Sequence, residues 1–78
     1  MTIQDMIDEG VVIQGEVVIK SWVDEKEDYE VFLEREIHDT LFPKDLPEEV
    51  LNAEVKFLYP VDGQLVFEIE DPELGLER

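Results

Sequence analysis

The chain contains no cysteine, which excludes disulfides, thiolate metal sites and thiol nucleophiles. Its core must hold unaided or with a second subunit. It has one histidine, His38, one serine, Ser21, and no glycine-rich loop, so the nucleophile, base and charge-stabilising groups that an enzyme converges on a pocket are missing as a set. A non-enzymatic protein is expected, with no cofactor and no metal. Long apolar runs are also absent, and the opening Met1-Thr2-Ile3-Gln4-Asp5 lacks the basic, then apolar, layout of a signal peptide. The expected location is the cytoplasm, away from membranes.

Positive charge is the other scarcity. Six Lys and Arg face 22 Asp and Glu, a formal net charge of −16 over 78 residues. A field of that sign repels DNA, RNA and anionic lipid headgroups, so direct nucleic-acid or membrane-surface binding is disfavoured. It favours a basic partner. Hydrophobic residues still make up 44% of the chain, too many for a disordered acidic tail, so the charge belongs to the surface of a folded domain. Residues 1–71 read as a single domain and 72–78 as a frayed acidic tail.

Thr2 with Asp5 forms a variant capping box, Ile3, Met6 and Ile7 share a helical face, and Gly10 suits a left-handed C′ position, which predicts a helix over 3–9. From Val11 to Val23 the period becomes two, with Val11, Ile13, Val17, Ile19 and Val23 inward, and Tyr29, Val31 and Leu33 continue that face beyond the turn Asp24-Glu25-Lys26-Glu27-Asp28. Gly15, inward as well, suggests a bulge or room for the helix to approach. Parity favours opposing Val23 to Tyr29.

A second hairpin runs through Ala53, Val55, Phe57 and Tyr59, then Leu65, Phe67 and Ile69. Opposing Phe57 to Phe67 keeps its faces separate and makes Val61-Asp62-Gly63 a three-residue loop, with Pro60 at an edge or strand end. Between the hairpins, Pro47 and Glu48-Glu49-Val50-Leu51 suit one helical turn inside an irregular crossover. The fold class is therefore α+β, a short N-terminal helix packed on a small antiparallel sheet of two β-hairpins.

The outer sheet face is not fully polar: Val12, Val18, Trp22, Phe32, Leu58 and Val66 interrupt it. Trp22, Phe32, Leu58 and Val66 are the candidate partner-binding residues, with the two aromatics diagonal across the first hairpin as anchors. Either they meet a partner or the crossover Ile37-Leu41-Phe42-Leu46 folds over them as a second small core. Around them, Glu16, Glu30, Glu34, Glu54, Glu68 and Glu70 fall on the same side, and Asp24, Glu25, Glu27 and Asp28 extend the negative surface. Such an array can imitate a phosphate backbone or keep the protein dispersed.

The opening Thr2-Ile3, Met6-Ile7 and Gly10, the run Ile13-Gln14-Gly15 into Val18-Ile19-Lys20-Ser21-Trp22, and Glu54 to Tyr59 followed by Leu65 to Glu70 resemble short acidic proteins of phages and integrative elements of Gram-positive gut bacteria. The resemblance rests on core and strand positions and carries no functional residue. It implies a mobile-element accessory role, a class that includes inhibitors of host defence nucleases. Three functions follow as expectations: a protein-interaction module, a nucleic-acid-mimicking inhibitor of a basic DNA- or RNA-binding enzyme, and a self-associating structural protein such as a homodimer.

Overall fold

The computed structural model describes residues 1–72, and most of the expected tail lies outside them. Helix α1 spans Ile3–Asp8. The Thr2 hydroxyl accepts the Asp5 N–H at 3.0 Å and the Asp5 carboxylate accepts the Thr2 N–H at 3.0 Å, so the capping box closes in both directions. At the other end Gly10, with φ +85°, lets Gly10 N–H and Val11 N–H reach back to the carbonyls of Ile7 and Met6. A helix this short gains its stability by docking: Ile3 and Met6 are buried.

Strands β1 (Gly15–Val23) and β2 (Asp28–Ile37) form the first hairpin, and β3 (Val55–Val61) and β4 (Gln64–Ile69) the second. The order across the sheet is β2-β1-β4-β3. Each hairpin is antiparallel, and they join through a parallel β1–β4 pair, so the α+β fold carries a mixed four-stranded sheet. Pro60 lies on edge strand β3, where its missing N–H costs no ladder bond.

The crossover travels from one sheet edge to the other over the face that α1 also covers. It contains a 3-10 turn at Pro43–Asp45 and a single helical turn, α2, at Glu48–Leu51. Leu41, Leu46, Val50 and Leu51 join Ile3, Met6, Val17, Ile19, Leu33, Phe67 and Ile69 in one core. Asp45 fixes the crossover, accepting the Phe42 N–H at 3.0 Å and pairing with Arg35 at 3.1 Å. The described fold measures 34 × 27 × 18 Å, and its thinnest dimension has room for the sheet and one covering layer.

Several expectations are corrected. Residues 11–14 precede β1 and pair with the crossover instead: Leu41 N–H donates to Ile13 O at 2.9 Å and Gln14 Nε2 to Asp39 O at 2.8 Å. Val11 is consequently exposed, not inward. Gly15 is required by its φ of +95°, since nothing lies near the place its Cβ would occupy.

In the first hairpin Val23 opposes Asp28 and Trp22 opposes Tyr29, with Glu27 left-handed in the turn. A bulge between Ile19 and Lys20 leaves Phe32 as the extra residue and brings Leu33 opposite Ile19. Tyr29 and Val31 therefore face outward, while Phe32 packs against the core.

The second hairpin closes through a two-residue turn, with Asp62 (φ 49°) and Gly63 (φ 83°) both left-handed, the conformation whose twist matches the flanking strands. Phe57 then opposes Glu68 and Tyr59 opposes Val66, placing both aromatics outward. A second bulge, between Val55 and Phe57, returns Val55 to the core side opposite Ile69.

Candidate protein-interaction site

The sheet face opposite the helices is built from rows of residues in register. Reading from β2 to β3, these are Glu36-Glu16-Gln64-Val61, then Glu34-Val18-Val66-Tyr59, then Val31-Lys20-Glu68-Phe57. Tyr29 and Trp22 form a further pair beyond them. The face is acidic at one end and aromatic at the other.

At its centre Val18 and Val66 are buried although they stand apart from the main core. The aromatic end is held by hydrogen bonds that converge on Glu68. Tyr29 reaches across β1 and donates to Glu68 Oε1 at 3.2 Å, and the Tyr59 hydroxyl donates to Glu68 Oε2 from the opposite side. Deprotonation of either phenol would set a second negative charge against that carboxylate. Tyr59 is accordingly pushed up to about 12, chiefly by its Glu68 hydrogen bond, and Tyr29 is raised by desolvation first and Glu68 second.

Trp22 stands edge-on to Tyr29, with ring centroids 5.2 Å apart, and its indole N–H donates to Asp24 Oδ1 at 2.8 Å. Both contacts fix the ring before anything binds. Lys20 Nζ lies 4.1 Å from the centroid of the Tyr29 ring, a cation–π contact on the same face. Trp22 is 46% exposed and Phe57 60%. Together they wall an open cleft of about 1160 Å³ at this end of the sheet, which Asp24, Glu25, Glu54, Glu68, Glu70 and Asp71 help to line and which Thr2, Glu49 and Asn52 close from the helix side.

Of the expected partner-binding residues, Trp22 and Val66 lie on this face. Phe32 and Leu58 do not: the bulge turns Phe32 to the core side, and Leu58, opposite Phe67, sits half-exposed at the core-side margin of β3. Tyr29, Phe57 and Tyr59 occupy the face in their stead. The Asp62-Gly63 pair was the available signal for the last two, because a two-residue turn sets Phe57 opposite Glu68. The crossover lies over the other face and leaves Trp22 open.

Among the expected acids, Glu16, Glu34 and Glu68 lie on the outer face, joined by Glu36. Glu30 is corrected to the core side, opposite buried Ser21, because the bulge reverses the parity of this part of β2. Glu54 starts the β3 edge, bound by the N-terminal ammonium, and Glu70 follows β4, its N–H donating to Glu54 O. Asp24, Glu25 and Glu27 belong to the exposed first turn, and Asp28 opens β2 beside it.

His38 is exposed beyond the end of β2, 3.9 Å from Glu36, while Ser21 is buried near the opposite end of the hairpin. They form no catalytic pair. Among the described residues no group of three or more His, Asp or Glu is placed to hold a metal ion, and no helix is long and apolar enough to cross a membrane. Comparison with protein-family models, curated proteins and solved structures finds no match to this chain.

Proposed function

We propose that this chain is a non-enzymatic protein-interaction module that holds its partner on the outer face of the sheet, with Trp22 as the central anchor. One observation carries the reading: a tryptophan oriented by Asp24 and Tyr29 stays 46% exposed on a face that the chain's own helices and crossover leave uncovered. Aromatic side chains fixed in advance lose little entropy on binding, and such residues dominate interface energetics. The acidic rows at the other end act as a charged rim. The setting proposed is the cytoplasm of a bacterial host, as a mobile-element accessory protein.

The test is affinity capture from lysate of the organism that encodes the chain. Trp22→Ala should retain the far-ultraviolet spectrum of the parent, because the indole is half-exposed, and lose the captured partner. Full retention of that partner by a folded Trp22→Ala chain would end the reading.

The net charge of −16 favours a second reading, charge mimicry of nucleic acid against a basic DNA- or RNA-binding enzyme. On that reading the captured partner is released steeply by salt and displaced by duplex DNA or RNA. Self-association is opposed by the same charge, since two copies of the face would bring like charges together.

A further inference from the structure

We propose that the occupant of this face is an arginine-bearing segment of a partner protein, with a guanidinium seated in the cleft between Trp22 and Phe57. The inference rests on the reading of the outer face as an interaction surface and adds the chemistry of what it takes. Charge complementarity selects the occupant. The cleft joins two exposed aromatic rings to a rim of carboxylates, against Lys56 as its cationic lining residue.

Apolar segments would desolvate those carboxylates without compensation, and an acidic segment or a second copy would meet repulsion. A guanidinium satisfies both parts of the lining. Its plane stacks on an aromatic face while its N–H fork donates to carboxylate oxygens.

The chain already displays half of that chemistry. Lys20, a cation on the same face, sits over the Tyr29 ring, whose hydroxyl is tied to Glu68. A carboxylate offers about four acceptor sites, and the two tyrosine hydroxyls leave capacity on Glu68 for a further donor. Trp22 is held by Asp24 on one side and Tyr29 on another, which pre-pays the ordering of the platform.

Trp22 is the only tryptophan of the chain, so its fluorescence reports on the cleft directly. The probes are a short peptide of alternating arginine and valine and its glutamine-for-arginine counterpart, titrated into the full chain. The arginine peptide should shift Trp22 emission saturably, with part of the affinity persisting at about 0.5 M salt, where exposed charges are largely screened. Phe57→Ala should weaken it by about threefold to tenfold, the loss of one cation–π wall. Phe42→Ala removes a half-exposed aromatic from the crossover, outside the cleft, and should change nothing.

Equal binding of the glutamine peptide would overturn the arginine assignment and leave the interaction face standing. Indifference to Phe57→Ala, or no response to either peptide, would likewise overturn it. Concentration-dependent dimerisation that buries Trp22 would identify the occupant as a second copy instead. If Trp22→Ala also keeps the captured partner, the face itself fails.

Discussion

Glu68 organises the outer face because its carboxylate accepts from two tyrosines that approach from opposite edges of the sheet. Both phenols are held above their ordinary value of about 10. A raised folded-state value means that the neutral phenol is favoured in the native chain. This contribution to stability is complete below about pH 10 and disappears as pH rises toward about 12 for Tyr59. Phenolate absorbance should therefore titrate late, with stability falling across that alkaline window. Glu68→Gln should bring Tyr59 back toward its ordinary value and relieve only part of the rise at Tyr29, where desolvation is the larger cause, and an unchanged Tyr59 titration in that variant would break the link to Glu68. The sequence alone showed Glu68 as one acid among many. Its role depends on which aromatics share its face.

At the scale of elements, the short helix, both hairpins and the helical turn after Pro47 were legible from caps, periodicity and turn residues. The contents of the outer face were not, because two bulges reset the parity of β2 and β3. A bulge is chosen by the burial it permits: Leu33 reaches the core opposite Ile19, and Val55 returns to it opposite Ile69. A strict alternation rule keeps each strand on one parity and therefore assigns Phe32 outward and Tyr29, Phe57 and Tyr59 inward.

The turn Asp62-Gly63 gave the local register, but treating mixed faces as forbidden favoured a longer loop. Its left-handed geometry is directly testable. Gly63→Ala places a Cβ at φ 83° and should cost about 1–2 kcal/mol in urea unfolding, with little change in slope. An unaltered midpoint would contradict the two-residue turn.

For the whole molecule, charge and size set the stability problem together. At an ionic strength of about 0.01 M the Debye length is roughly 30 Å, comparable to the longest dimension of the fold, 34 Å. Most of the net charge of −16 then repels itself across the entire domain. Raising salt to about 0.5 M should raise the urea midpoint, and a fall would mean that attractive ion pairs dominate. The ion pairs seen among the described residues, such as Arg35–Asp45, are few and partly exposed, which agrees with a net gain on screening.

The same repulsion weighs against a homodimer and toward a basic partner, so fold, charge and open face lead to one arrangement. Helix and crossover seal the sheet on one side, and in the proposed function the aromatic end of the other side receives the partner. The most direct measurement is backbone-amide and side-chain chemical-shift mapping of the chain as its captured partner is added. The account predicts that the largest changes fall on Trp22, Tyr29, Phe57, Tyr59 and Glu68, with smaller ones at Thr2, Glu49 and Asn52 on the far edge of the cleft and the rest of α1 and the crossover nearly silent. Changes centred on Ile7, His38 or Phe42, away from the cleft, would contradict it and move the interface to the opposite side of the molecule.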